Sequence, residues 1–151
     1  MFDRSHVDDI LPSKLEEYMK EFEEDMKLND GNIHEKTLLR SSIAAKWCRF
    51  GYEEERYKKK ILESLDELRE KISQKLYEKK KTEIINQTMK DNMIKIEAEK
   101  LIKSTSQYQK ISEDLKMQDE IIRFIMEAKQ IISQFGFDLK NAIEILKLEN
   151  I

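Results

Sequence analysis

The chain has 151 residues, of which 39% are charged and 39% hydrophobic, and its formal net charge is −3. This length predicts one domain, and a composition with only three glycines and one proline favours long helices over strands. The single cysteine, Cys48, excludes an internal disulfide and therefore a disulfide-stabilised secreted fold. No signal-peptide pattern or long apolar run occurs, so we expect a soluble protein in the cytoplasm.

The expected fold class is all-α, with elongated helices forming a bundle. Residues 1–12 have no clear periodicity and are predicted to form a flexible N-terminal arm, which leaves residues 13–151 as a single helical domain. The first helix is expected to begin at Ser13, because Ser13 and Glu16 have the spacing of a capping box. Helices this polar bury little surface alone, so association into a homo-oligomer is also expected.

A second, long helix is predicted over about residues 33–81, with a possible bend at Gly51. Its apolar residues recur every three or four positions and define one stripe: Ile61, Leu65, Leu68, Ile72 and Leu76. Residues 36–81 carry fourteen basic and eight acidic side chains, a local charge of +6, whereas residues 1–35 carry four basic and eleven acidic ones. A concentrated positive region on an acidic protein is typical of a surface that binds a polyanion.

Cations border the apolar stripe on both sides when the helix is projected at about 100° per residue. One edge holds Lys60, Lys71 and Lys75, and the other holds Lys58, Arg69 and Lys80. Lysines 79–81 extend the positive charge past the last apolar residue. The predicted DNA-binding residues are Lys58, Lys60, Arg69, Lys71, Lys75, Lys79, Lys80 and Lys81.

Two simpler explanations exist for these residues. Lysines beside a core stripe often lay their methylenes on apolar surface, and Glu54–Lys58, Glu55–Lys59 and Glu67–Lys71 have the spacing of helix ion pairs. The aromatic residues of the same region can stack on bases or pack in the core, and Trp47 is expected to be buried: Trp47, Phe50, Tyr52, Tyr57 and Tyr77.

Two further helices and a short last one complete the predicted order. The third covers about residues 83–103, and its inward side chains are expected to be Ile85, Met89, Met93, Ile96 and Leu101. The fourth covers about residues 107–134 after a cap in Ser104–Ser106. Gly136 is expected to end it, and Asp138 to begin the short last helix.

The sequence has no signature of an enzyme. It lacks a Gly-rich phosphate-binding loop, so no nucleotide cofactor is expected. His6 and His34 lack the partners of a zinc site, and we expect no metal ion. Cys48 has no partner for nucleophilic chemistry and is expected to be a buried structural thiol.

Two blocks of the chain resemble the phage recombination mediator family typified by UvsY. The first is SSIAAKWCRFGYEEERYKKKI, residues 41–61, which continues through LREKISQKLYEKKK, residues 68–81. The second is IIRFIMEAKQIISQFGFDLKNAIEIL, residues 121–146. The resemblance depends on the order and spacing of these blocks and covers somewhat under half of the chain.

The resemblance implies an all-helical, ring-like homo-oligomer that binds single-stranded DNA. It also implies that the protein helps a RecA-like recombinase to replace the single-strand-binding protein. Of two family DNA-binding positions before Leu76, one holds Lys75, which keeps the charge, and the other holds Ser73, which does not. The family resemblance implicates the C-terminal helices in assembly, and their apolar residues are the predicted subunit contacts: Ile125, Ile132, Phe137, Leu139, Ile143 and Leu146.

The main alternative is a helical scaffold or adaptor that acts through protein contacts and does not bind nucleic acid. A membrane-surface helix is a weaker candidate, because the acidic back of the second helix would be repelled by anionic lipid.

Overall fold

The computed structural model describes residues 7–27, 31–81 and 86–149. They form α1 (Val7–Met26), α2 (Ile33–Lys79), α3 (Gln87–Lys103) and α4 (Ser106–Glu149), with no strand in these ranges. The all-α prediction is therefore confirmed, and so is the single long helix predicted over about residues 33–81.

Helix α2 is the longest element: α3 and α4 pack along it, while α1 packs mainly on α4 and reaches α2 through its side chains. Its 47 residues correspond to a length of about 70 Å. Helix α4 runs antiparallel to it, because Arg40 near the start of α2 contacts Gly136, whereas Lys58 farther along contacts Asp119. Helix α1 is also antiparallel to α2 and covers its first half, and α3 folds back along its second half.

The main core lies between α1, α2 and the second half of α4. Trp47 is fully buried at its centre, and its ring meets the edges of Phe22, Phe50 and Phe124. The fully or nearly buried residues of this core are Leu11, Ile43, Trp47, Ile121, Ile125, Ala128 and Ile132. The prediction that Trp47 is buried is confirmed.

A smaller core joins the second half of α2 to α3. It consists of Leu76, Ile94 and Ala98, with Ile72 packed against them. Helix α3 covers only part of α2 here, and the exposed lysines described below lie outside this contact or at its margin.

A buried carboxylate connects α1, α2 and α4. Glu54 is 2% exposed, and its carboxylate accepts hydrogen bonds from the Tyr18 hydroxyl at 2.9 Å and the Gln118 amide at 2.8 Å. Lys14 Nζ lies 3.1 Å from the same carboxylate and stacks over the Tyr57 ring. Burial and the hydrogen bond to Glu54 both raise the pKa of Tyr18.

Helix α1 begins earlier than the sequence predicted. The predicted start at Ser13 was wrong, because α1 already includes residues 7–12, with Pro12 inside the helix. The predicted flexible arm is wrong for these six positions as well, since Leu11 is buried in the main core. Residues 1–6 lie outside the described ranges.

Helix α4 does not end at the predicted place. It continues through Gly136 to Glu149, so the predicted C-terminal cap and separate last helix were wrong. Gly136 is buried under the Arg40 side chain, and a Cβ atom there would lie 3.0 Å from Arg40 Cδ, so a larger residue would require the Arg40 side chain to shift. The predicted cap before α4 is confirmed, because Thr105 Oγ1 accepts a hydrogen bond from the Tyr108 backbone N–H.

Helix α3 faces α2 with a different stripe from the predicted one. Ile94, Ala98 and Ile102, four residues apart, are buried. Four of the predicted inward residues are exposed instead: Met89, Met93, Ile96 and Leu101. The fifth, Ile85, is not among the described residues. Both stripes have helical spacing, and the small Ala98 allows the closer approach to α2.

Candidate nucleic-acid interface

Carboxylates of the neighbouring helices neutralise one edge of the predicted basic surface. Lys58 Nζ lies 2.8 Å from Asp119 of α4. Arg69 Nε lies 2.6 Å from Glu99, and Lys80 Nζ lies 3.0 Å from Glu97, both on α3. The hydrogen bond to Asp119 raises the pKa of Lys58. These three cations stabilise contacts between helices, so the set of DNA-binding candidates is narrowed to the opposite edge.

The opposite edge carries what we call the lysine row. All five of its members are exposed, and none forms an ion pair with a residue in the described ranges: Lys60, Lys71, Lys75, Lys79 and Lys81. Lys71, Lys75 and Lys79 follow each other at four-residue spacing and therefore project from successive turns of α2. Four members of the lysine row lie on α2, and Lys81 follows the C-terminal cap of this helix.

The ion pairs within α2 that were a simpler explanation for its lysines do not neutralise the lysine row. Glu54 is buried in its network with Lys14, and Lys58 reaches Asp119 on α4 instead. No ion pair joins positions 67 and 71 among the described side chains. Lys71 is therefore available to an external anion.

A shallow groove of about 490 Å³ lies beside the end of the lysine row. Lys75 and Lys79 line one side of it, while Ile72, Leu76 and Leu101 supply apolar surface. Glu78 is the one acidic side chain among the described residues of its wall. This combination of cations and apolar side chains suits a nucleotide, whose phosphate is anionic and whose base has an apolar face.

The acidic helix α1 neutralises the first half of α2. Lys46 Nζ lies 2.6 Å from Glu21 and 2.8 Å from Asp25, and the Trp47 indole N–H donates to Asp25 at 2.8 Å. Burial acts to lower the pKa of Lys46, but these two carboxylates raise it above its ordinary value. Positive charge is consequently concentrated in the second half of α2, where the lysine row lies.

A comparison with protein-family models matches residues 21–150 to one family, described as "Recombination, repair and ssDNA binding protein UvsY". The chain belongs to the UvsY family. The match includes all of α2, α3 and α4 and therefore the whole lysine row. Searches of curated proteins and of solved structures each found no significant match.

The description of the UvsY family names binding and no catalytic activity. In the described part of the chain, no group of three or more His, Cys, Asp or Glu side chains could hold a metal ion. The same residues include no helix that is long and apolar enough to cross a bilayer. Cys48 is exposed, so its predicted role as a buried structural thiol was wrong.

Exposed aromatic side chains are few near the lysine row. Tyr52 is 75% exposed on α2, and Tyr77 is 39% exposed and donates a hydrogen bond to Asp91. Phe50 and Tyr57 are half-buried. Of the five aromatic residues considered for base stacking, Tyr52 and Tyr77 are thus the two that a base can reach readily.

The predicted assembly residues divide into three groups. Ile125 and Ile132 are buried in the main core of the subunit, so their assignment to a subunit contact was wrong. Ile143 and Leu146 are half-buried near the end of α4, and the exposed Ile145 and Leu148 lie beside them. The side chains of Phe137 and Leu139 are not among those that the structure describes.

Proposed function

We propose that this protein is a recombination mediator that binds single-stranded DNA through the lysine row. As a homo-oligomer, it presents the row several times to one strand and promotes the loading of a RecA-like recombinase in place of single-strand-binding protein. Its setting is the cytoplasm of a phage-infected cell. The observation that supports this proposal most directly is the exposed lysine row, which has no ion pair within the described part of the chain, on a helix whose other edge is neutralised.

The chemistry of the row suits binding without sequence preference. Lysine is a mobile point charge that contacts phosphate without a fixed geometry, and no base-reading arginine lies in the row. Several weak sites on one assembly raise avidity by roughly 10² to 10⁴ over a single site. Contacts of this kind are sensitive to salt, and a strand held by them is easily transferred to a recombinase filament.

Replacing both Lys71 and Lys75 by alanine is expected to weaken binding of single-stranded DNA and to flatten its salt dependence. Each phosphate contact to a single strand contributes about 0.7 to the slope of log K against log salt, so the pair contributes about 1.4 for each subunit that contacts the strand. Fluorescence anisotropy with a labelled oligonucleotide at several salt concentrations measures both quantities.

The matched control removes the same charge elsewhere, by replacing the exposed Lys95 and Lys116 with alanine. The control should keep the wild-type slope. Equal slopes in the two double variants would contradict the assignment of the lysine row.

A scaffold or adaptor function has one observation in its favour, the exposed apolar side of α3. Met89 and Ile96 on this side are 59% and 58% exposed. A pure adaptor would leave the anisotropy of the oligonucleotide unchanged at low salt. The wild-type titration therefore separates the two functions before any variant is made.

Assembly through the end of α4 gives a separate prediction. Leu146→Asp is expected to dissociate the oligomer, because a carboxylate at a half-buried apolar position cannot be desolvated without a partner. Light scattering reports the mass, and Lys147→Asp, at an exposed position of the same turn, is the control. A Leu146→Asp protein of wild-type mass and helicity would show that the subunit contact lies elsewhere. Dissociation should also lower the DNA affinity, because multivalency is lost.

A further inference from the structure

A second groove, of about 580 Å³, lies between the first half of α2 and the second half of α4. We call it the cationic groove, because Arg40, Lys129 and Lys140 line it and no acidic side chain does so among its described residues. None of these three cations forms an ion pair with another described residue, and Arg40 hydrogen-bonds only weakly, to the Gly136 carbonyl at 3.4 Å. The groove is therefore positive and lacks a counter-charge from the described part of its own subunit.

Small side chains line the cationic groove on both helices. Ser41, Ala44 and Cys48 lie on one stripe of α2, and Ser133 and Gly136 lie opposite them on α4. Small residues at three- and four-residue spacing allow a helix backbone to approach closely, and the cations at the rim favour a helix with an acidic face.

The groove lies on the opposite side of the α2–α4 pair from α1. On α2, helix α1 contacts the side that carries Lys46 and Phe50, whereas the groove is lined by the side that carries Ala44 and Cys48. The α2–α4 pair is thus covered by a helix on one side and open on the other.

The outer face of α1 has the matching chemistry. Glu16, Met19 and Glu23 lie on one stripe of that face, with spacings of three and four residues. All three are exposed, Met19 at 42%, and neither glutamate forms an ion pair with a described residue. The stripe combines two unneutralised carboxylates with an apolar side chain between them, which complements a groove that has cations at its rim and Ala44 and Ile132 in its wall.

We propose that the cationic groove of one subunit binds the Glu16–Met19–Glu23 stripe of α1 from a second copy of this chain. The contact is heterologous, because each subunit uses one surface to donate and a different surface to receive. A heterologous contact repeats from subunit to subunit and closes into a ring when the rotation permits. The inference extends the proposed assembly, and its cross-linking test needs no DNA.

Cross-linking between two cysteine positions tests this arrangement. Met19→Cys adds a second thiol to the native Cys48, which lines the groove and is exposed. In the proposed contact, residue 19 of one subunit lies near residue 48 of the next, so a short bis-maleimide should give a ladder of covalent multimers on a denaturing gel. The wild-type chain, with Cys48 alone, can give no species larger than a dimer. Met89→Cys, at an exposed position of α3, should give no ladder.

Charge reversal provides the decisive part of the cross-linking experiment. In the Met19→Cys background, Glu16→Lys with Glu23→Lys should abolish the ladder, and so should Lys129→Glu with Lys140→Glu. Combining all four reversals should restore it, because the complementarity is then inverted rather than lost. All four positions are exposed, and circular dichroism should be unchanged throughout.

Three outcomes would overturn the proposal: no ladder from Met19→Cys, an equal ladder from Met89→Cys, or no restoration in the combined variant. If Met19→Cys alone gives no ladder, and Lys129→Glu with Lys140→Glu lowers DNA affinity without changing the mass of the assembly, the groove binds nucleic acid and not a second copy. In each of these cases the Lys71 and Lys75 test of the proposed function keeps its own, separate result.

Discussion

Replacing Trp47 by alanine should lower the free energy of unfolding by about 3–5 kcal/mol, the range found for removal of a large aromatic side chain from a core. Trp47 is fully buried, and it packs against rings from both α1 and α4. Its loss therefore removes contacts along two helix interfaces at once. It also leaves Asp25, which accepts the indole N–H, with one partner fewer.

Thermal or urea unfolding followed by circular dichroism measures this change, and Tyr52→Ala is the matched control. Tyr52 lies one and a half turns farther along α2 and is 75% exposed, so its removal should change the stability by less than about 0.5 kcal/mol. Similar losses in the two variants would contradict the central position of Trp47. Trp47→Phe should have an intermediate effect, because it keeps an aromatic ring but loses the hydrogen bond.

The sequence predicted α2 well because its signals agree over a long distance. Apolar spacing, high helix propensity and the absence of proline all favour one continuous helix over about residues 33–81. Burial of Trp47 was predictable for the same reason, since a large aromatic residue at helical spacing belongs to the core more often than to the surface.

The ends of α1 and α4 were mispredicted because local signals have more than one meaning. A proline and a Ser-x-x-Glu pattern suggested a start at Ser13, yet Val7, Leu11 and Leu15 already continue the helical spacing backwards from Tyr18. Gly136 suggested a cap, but it lies inside α4, where the Arg40 side chain of α2 packs over it. Only the packing of α2 against α4 distinguishes these two uses of glycine.

The two basic edges of α2 were indistinguishable in projection, because pairing depends on neighbours that are distant in sequence. Lys58 finds Asp119, and Arg69 finds Glu99, only after α3 and α4 have folded back along α2. The same holds for Lys46, whose partners Glu21 and Asp25 belong to the acidic first helix. Sequence predicted which helix is basic, and tertiary structure selects which edge of it remains charged.

The buried Glu54 gives the second large prediction, because it is the acceptor for donors from two other helices. Tyr18 of α1 and Gln118 of α4 both donate to its carboxylate, and Lys14 lies beside it. Gln118 is fully buried and would keep the Glu54 backbone carbonyl as an acceptor at 2.9 Å, but bulk water cannot replace the lost carboxylate. Glu54→Ala should therefore cost about 1–3 kcal/mol, the range for leaving a buried donor without its acceptor.

Glu55→Ala, at the exposed neighbouring position, is the control for Glu54→Ala and should stay within about 0.5 kcal/mol of the wild-type stability.

The pH dependence of stability offers an independent measurement. Burial and Glu54 raise the pKa of Tyr18 above its ordinary value of 10.0, so the folded state keeps the tyrosine proton where the unfolded state releases it. That stabilisation is complete below about pH 10 and is lost as the pH rises further. Without Glu54, or in Tyr18→Phe, the alkaline loss of stability should be shallower than in the wild-type protein. An unchanged alkaline slope in both variants would mean that Tyr18 does not donate to Glu54 in solution.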